Sequence, residues 1–289
     1  MNAKHLLRLL PNKFSRILYE RFPEPLHLNA LSIAVALFGT YRMKIDFDLV
    51  VRQQYAFCLL QAAEFAKDEG QRSVTVIEFG VAAGAGLMNL CEIASKISRL
   101  TDVDFQIFGF DSGKGMPSPR DYRDHPEAFR EGSFPLVDPA ALVEALPPNA
   151  RLILGDIQET LPAFVADLFP RSPLGFVVID VDQYSSAKAC FDVFLAPPDC
   201  YLPMTLVYLD DIGLASANPW VGELLAVREF NDENEQRKVW PFTTLRTRRL
   251  FKHASWIDQV YLLHVLDHSR RTPGNAAEWP IKFLPNPYL

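Results

Sequence analysis

The chain has 289 residues and a formal net charge of −6, from 29 basic and 35 acidic side chains. Hydrophobic residues make up 49% and charged residues 22%, which is globular composition and excludes a disordered chain. The acidic balance leaves no general nucleic-acid footprint. Cys58, Cys91, Cys190 and Cys200 show no CxxC spacing, which argues against a structural zinc site or a disulfide framework and for reduced thiols in a cytoplasmic protein.

In chain order, the first twenty-odd residues set Lys4, Arg8, Lys13, Arg16 and Arg21 among Leu6, Leu7, Leu9, Leu10, Phe14, Ile17 and Leu18. This basic amphipathic stretch reads as a helical arm that packs on its own domain or on a second copy of the chain, so a homo-oligomer formed through the N-terminal helices is expected. The longest nearby apolar run, Ala30 to Phe38, is about half the ~20 residues of a spanning helix, so no membrane span is expected. Residues 1–70 read as a helical N-terminal segment that stops at Asp68-Glu69-Gly70, and residues 71–289 as the main domain.

From residue 74 the texture changes. Short apolar runs at 74–79, 106–110, 151–154, 175–179 and 205–209 alternate with helical stretches at 84–97, 139–146, 161–168 and 185–195. Continuous apolar strands between helices mean a parallel sheet covered on both faces. One more helix follows Gly222, then a polar run at 231–238, then strand-like pieces near 244–250 and 260–266 that would close the sheet's edge. The predicted fold is α/β: a doubly wound, Rossmann-like, seven-stranded and mostly parallel sheet. Residues 112–135, rich in glycine, proline and charge, leave a strand end where such sheets place their ligands, and read as a lid.

Three constellations carry chemistry. Residues 74–87 run from a strand through Glu78 into a turn with Gly80, Gly84 and Gly86, then into a helix. Glycine there lets a ligand approach the backbone, and Glu78 can hold a cationic or hydrogen-bonding group. Asp111, in I-F-G-F-D-S, ends the second strand, where a ribose is usually held, and Asp156, in G-D-I-Q-E-T-L-P, ends the third. Ser112 and Ile157, which follow these two aspartates, join them in the candidate cofactor set. Finally, Asp180 and Asp182 follow one apolar strand and Asp210 and Asp211 another, so four carboxylates converge at one rim. Such like charges repel unless a cation offsets them, and oxygen-only ligands suit Mg²⁺ or Mn²⁺ better than zinc.

Taken together, the glycine turn, F-G-F-D-S with Gly115-Met116-Pro117, G-D-I-Q-E-T-L-P, I-D-V-D-Q-Y-S-S and L-D-D resemble the class I S-adenosylmethionine-dependent methyltransferases. Within that class residues 74 to about 231 are similar to the macrocin O-methyltransferase-type family. The resemblance implies S-adenosylmethionine as cofactor, Mg²⁺ held by Asp180, Asp210 and Asp211, and Asp182 as general base. It also implies a small-molecule hydroxyl, of a sugar or natural product, as methyl acceptor. Two alternatives remain. Tyr184 and Lys188 match the Y-x-x-x-K of short-chain dehydrogenases, and a catalytically silent binding protein can share the same fold. His125, His253, His264 and His268 are assigned no role.

Overall fold

The computed structural model describes residues 20–167, 172–272 and 285. The basic arm up to residue 19, and with it the expected oligomeric contact, lies outside the described residues, as does residue 168. Three helices come first: α1 (Leu26–Phe38), α2 (Tyr41–Asp46) and α3 (Gln53–Asp68). Then β1 (Ser73–Phe79), α4 (Ala85–Thr101), β2 (Asp104–Asp111), α5 (Pro139–Ala145), β3 (Ala150–Leu154) and α6 (Ile157–Asp167) follow. The second half holds β4 (Leu174–Ile179), α7 (Tyr184–Cys190), β5 (Tyr201–Leu209), α8 (Gly222–Glu233), β6 (Arg237–Pro241), α9 (Leu245–Arg248) and β7 (Val260–Val265). No described helix is long and apolar enough to cross a membrane.

The strands form one seven-stranded sheet in the order β3-β2-β1-β4-β5-β7-β6. The first five run parallel, whereas β7 is antiparallel to both β5 and β6. Successive side chains of a strand face opposite sides, and both sides here are covered. Val74 and Val76 of β1 join the core under α3 and α4, with Leu59, Leu90 and Phe176. Ile77 and Phe79 join the opposite core under α6, α7 and α8, with Phe164, Phe191 and Phe230. Two apolar faces explain why the strands read as unbroken apolar runs. Strand order reverses between β1 and β4, and a crevice opens at their C-terminal ends, the general ligand position of such sheets.

Two expected elements are corrected. Residues 244–250 are not a strand but carry the single helical turn α9. The sixth strand lies instead at Arg237–Pro241, at the end of the polar run, and pairs only with β7. An edge strand buries alternate residues, here Arg237 and Val239, and tolerates a terminal proline, so its apolar content is low. Helix α6 also starts earlier than expected, at Ile157, with Pro162 inside it.

Candidate active site

The glycine turn is dictated by packing within the chain. Past β1, Gly80 (φ 85°) sits against the turn after β4, and a Cβ there would lie 1.8 Å from the carbonyl oxygen of Asp180. Gly84 starts α4 in the left-handed region (φ 84°), and a Cβ there would strike Leu142. At Gly86 a Cβ would fall 2.2 Å from Glu78 Oε1. The Glu78 carboxyl therefore occupies the cradle that Gly86 leaves under the first turn of α4.

Glu78 is 1% exposed and accepts a hydrogen bond from the Tyr55 hydroxyl at 3.0 Å through Oε1, while Oε2 has no partner. Burial pushes its pKa up to about 8, and the neighbouring Asp180 adds to the shift. Asp111 clamps the turn to the end of β2. Its Oδ2 accepts from the backbone N–H of Val81 and of Ala82, both at 2.9 Å, and its Oδ1 from Gly113 at 2.7 Å. Ser112 Oγ donates to the Gly115 carbonyl and accepts from Lys114 N–H, which folds the start of the lid. Asp156 Oδ1 accepts from Gln158 N–H at 2.8 Å and so caps α6, whose first residue is Ile157. Glu78, Gly80, Gly86, Asp111, Ser112, Asp156 and Ile157 border one cleft of about 1020 Å³, roofed by Ser112, residues 114–117 and residues 131–134, whereas Gly84 packs on Leu142 and does not line it.

The carboxylates meet at the cleft's other end. Parallel pairing sets Ile179 beside Leu209, so the residues that follow, Asp180 and Asp210, leave the sheet side by side. Asp180, Asp210 and Asp211 each bring an oxygen within 4.8 Å of the others, and among the described residues they are the one such group. Asp182 stands next to them in the left-handed region (φ 59°), its N–H donating to Asp211 Oδ2 at 2.9 Å. Burial, then Asp210 and Asp182, push Asp180 up to about 7. Burial and Asp182 push Asp211 up to about 9, and burial raises Asp182 as well.

Sequence reasoning missed the groups around this cluster. Tyr208 donates its hydroxyl to Asp210 Oδ1 at 2.9 Å, a partner discoverable from its place two residues upstream on the same strand face. Glu223, buried at the start of α8, accepts from Asp211 N–H at 3.3 Å and is itself raised by burial and by Asp211. Gln259 donates to the Asp210 carbonyl. From the N-terminal helical region, Arg52 borders the cleft and the buried Tyr55 stands behind it on Glu78, and no local motif marks either. The dehydrogenase pair is not assembled: Tyr184 donates to Glu229 at 2.6 Å, and Lys188 bonds Glu229 and Glu233, so both tie α7 to α8. The α7 residues bordering the cleft are Ser185, Ser186 and Ala189.

No family model and no curated protein matches the chain. Among solved structures it is similar to CalS11, a calicheamicin methyltransferase, at 20% identity and a TM-score of 0.46 over 72% of this chain and 84% of that one. It is also similar to the O-methyltransferase TomG from Streptomyces achromogenes, involved in tomaymycin synthesis and solved with S-adenosylmethionine, at 14% identity and a TM-score of 0.40 over 86% and 95%. A third is MycE, a methyltransferase of the mycinamycin pathway solved with Mg, S-adenosylhomocysteine and mycinamycin VI, at 12% identity and 0.35 over 72% and 50%. These likenesses are remote, and the functional reading rests on the residues of the cleft.

Proposed function

We propose that the protein transfers a methyl group from S-adenosylmethionine to a hydroxyl of a small molecule, with a divalent cation at Asp180, Asp210 and Asp211. The observation that carries this reading is the cleft's division of labour. Under the glycine turn it presents the unpartnered Glu78 Oε2, with Asp111 and Asp156 along the same strand ends. At its other end it presents three converging carboxylates. A buried carboxyl oxygen without a donor fits a cationic group, and the oxygen-only donor set fits a hard cation such as Mg²⁺.

Bound in this cleft, S-adenosylmethionine supplies a methyl activated by its sulfonium, and the cation supplies Lewis acidity toward an acceptor hydroxyl. The chain's own residues do the rest. Asp111 and the turn it clamps fix where the nucleoside lies, and Ser112, Asp156 and Ile157 flank it. Asp182, raised by burial and adjacent to the cation ligands, accepts the proton the hydroxyl gives up, since an alcohol's own pKa lies far above neutrality. The roof at 112, 114–117 and 131–134 limits access of water.

Calorimetric titration with S-adenosylmethionine and with NADP⁺ tests the donor: the first is expected to bind and the second not. Thermal unfolding with millimolar Mg²⁺ or Mn²⁺ tests the cation. The melting temperature should rise for the wild-type protein and not for Asp210→Asn/Asp211→Asn. Absence of a shift in the wild type would remove the cation from the reading.

A further inference from the structure

Helix α1 carries no Asp, Glu, Lys or Arg between Leu26 and Phe38, yet Val35 is its one buried side chain. Leu26, Ala30, Ile33 and Leu37 follow one another at spacings of four, three and four, which aligns them along a single side of the helix. Leu26, Ile33 and Leu37 are 84%, 66% and 68% exposed. Val35 lies nine residues past Leu26, about two and a half turns, and so points the opposite way, into a small core with Leu28, Phe47, Leu49 and Phe251. The helix is thus anchored by one side and presents the apolar line on the other. Its polar groups are turned back to the chain as well: Asn29 donates to the Arg21 carbonyl at 3.0 Å and Ser32 to the Leu28 carbonyl at 2.9 Å. Exposed Phe22, Leu31 and Phe38 extend the patch.

With them the patch amounts to on the order of 700 Å² of apolar surface, taking about 150–250 Å² for a whole aromatic side chain. A soluble monomer seldom exposes more than a few hundred Å² in one piece, and a standard interface takes about 800 Å² from each partner. The line is also self-complementary. Turned end for end about the midpoint between Leu31 and Ser32, Leu26 exchanges places with Leu37 and Ala30 with Ile33. Two copies of α1 packed antiparallel would therefore set leucine on leucine at both ends and the small Ala30 against the large Ile33 twice at the centre, knob into hole. With no charges on the helix, no like charges meet across the two-fold axis. We infer that α1 is the interface of a two-fold symmetric homodimer, paired antiparallel through Leu26, Ala30, Ile33 and Leu37. The contact lies on α1 and not on the basic arm that precedes it. A lipid surface fits less well, since a helix lying on a membrane is gripped through basic groups on its flanks. The arginines that bracket α1 are engaged within the chain: Arg21 donates to the Phe47 and Asp48 carbonyls and lies over the Phe251 ring, and Arg42 pairs with Glu64 at 2.6 Å.

Analytical ultracentrifugation of the full chain across the micromolar range is expected to show a monomer–dimer equilibrium. Ile33→Glu places two carboxylates beside the axis and should raise the dimer dissociation constant by at least about 100-fold. Because Ile33 is exposed in the single chain, that variant should keep the wild-type circular dichroism spectrum. Cysteine pairs fix the orientation. Leu26 and Leu37 are eleven residues, about 16 Å, apart on one helix, too far for a disulfide within the chain. Under mild oxidation Leu26→Cys/Leu37→Cys should give a covalent dimer on non-reducing gels, whereas Leu26→Cys and Leu37→Cys alone should not. The wild type, whose own cysteines are buried or half-buried, serves as the blank. A wild type that stays monomeric throughout, as it would if residues 1–19 covered α1, overturns the interface, and so does a dimer that Ile33→Glu leaves intact. Binding of a monomeric wild type to phosphatidylserine-containing vesicles, lost in Ile33→Glu, would assign the patch to a lipid surface instead. Cross-linking of either single variant would overturn the antiparallel pairing.

Discussion

Glu78, Asp180 and Asp211 are carboxyl groups that burial holds protonated well above the range of exposed carboxylates, up to about 8, 7 and 9. In the unfolded chain such groups titrate near 4. Because the folded values are raised, the folded protein binds more protons than the unfolded chain over the interval between them. The stability these groups contribute is fully present below about pH 4 and is lost as pH rises through the folded values toward about 9. A cation acts in the opposite sense, since it binds the ionised carboxylates and displaces their protons. The metal-free protein should therefore melt at progressively lower temperature between pH 6 and pH 9, and the rise produced by Mg²⁺ should grow over the same range. Differential scanning fluorimetry at three pH values reads both slopes, and a Mg²⁺ effect that shrinks toward pH 9 would contradict the carboxylate ligation. Asp211→Asn should flatten the metal-free slope, because it removes the most strongly raised aspartate of the cluster.

At the scale of elements, the segment between β2 and α5 is a roof with a fixed centre. Asp124 is 1% exposed and accepts from Arg120 N–H at 2.8 Å and from Ser185 N–H, on α7, at 2.7 Å. Gln183 donates to the Pro117 carbonyl, and Met116 exchanges backbone hydrogen bonds with the strand-like return at Gly132 and Ser133. Gly115 permits that crossing, because a Cβ there would lie 2.5 Å from the Ser133 carbonyl oxygen. The proposed lid motion thus belongs to the two arms and not to the pinned turn. Hydrogen exchange with added S-adenosylmethionine should slow in residues 112–119 and 130–135, while 121–125 stay as protected as before. Equal protection of the arms with and without ligand would remove the lid.

At the scale of the whole molecule, Arg249 fastens the helical region to the C-terminal part of the chain. Its guanidinium donates to the carbonyls of Ile45 and Asp46 and to Asp48 Oδ1 at 2.6 Å, and lies 5.2 and 5.3 Å from the Phe57 and Trp256 rings. The two charged side chains are 4% and 5% exposed, and burial pushes Asp48 up to about 6 although Arg249 opposes the shift. Removing one partner of a buried pair strands the other, so Arg249→Leu should lower stability by about 3–5 kcal/mol. Replacing both, in Asp48→Leu/Arg249→Leu, should recover a large part of the loss. Urea unfolding of the three proteins measures this, and a single-variant loss below about 1 kcal/mol would show that the pair does not hold the segments together.

Local pattern was enough to read the sheet and the rim of its cleft. A strand buried on both faces must be apolar throughout, a turn that crowds a neighbouring strand must be glycine, and a parallel register carries the residue after each strand to one edge. Hence β1, β2, β4 and β5, the turn at Gly80–Gly86 and the aspartates at strand ends were all visible in the sequence. Tertiary structure alone decided which side chains surround them. Tyr55 comes from a helix whose own periodicity reports only that it is buried, Arg52 from the residue just before that helix, and Glu223 looks like an ordinary first-turn acid until α8 packs behind Asp211. The same holds for errors: Tyr184 and Lys188 have a catalytic spacing, but the packing of α7 on α8 turns them to Glu229. Spacing along a chain sets what recurs on one face of an element, whereas the partner of that face, and so the charge, burial and protonation of each group, depends on contacts between residues far apart in sequence.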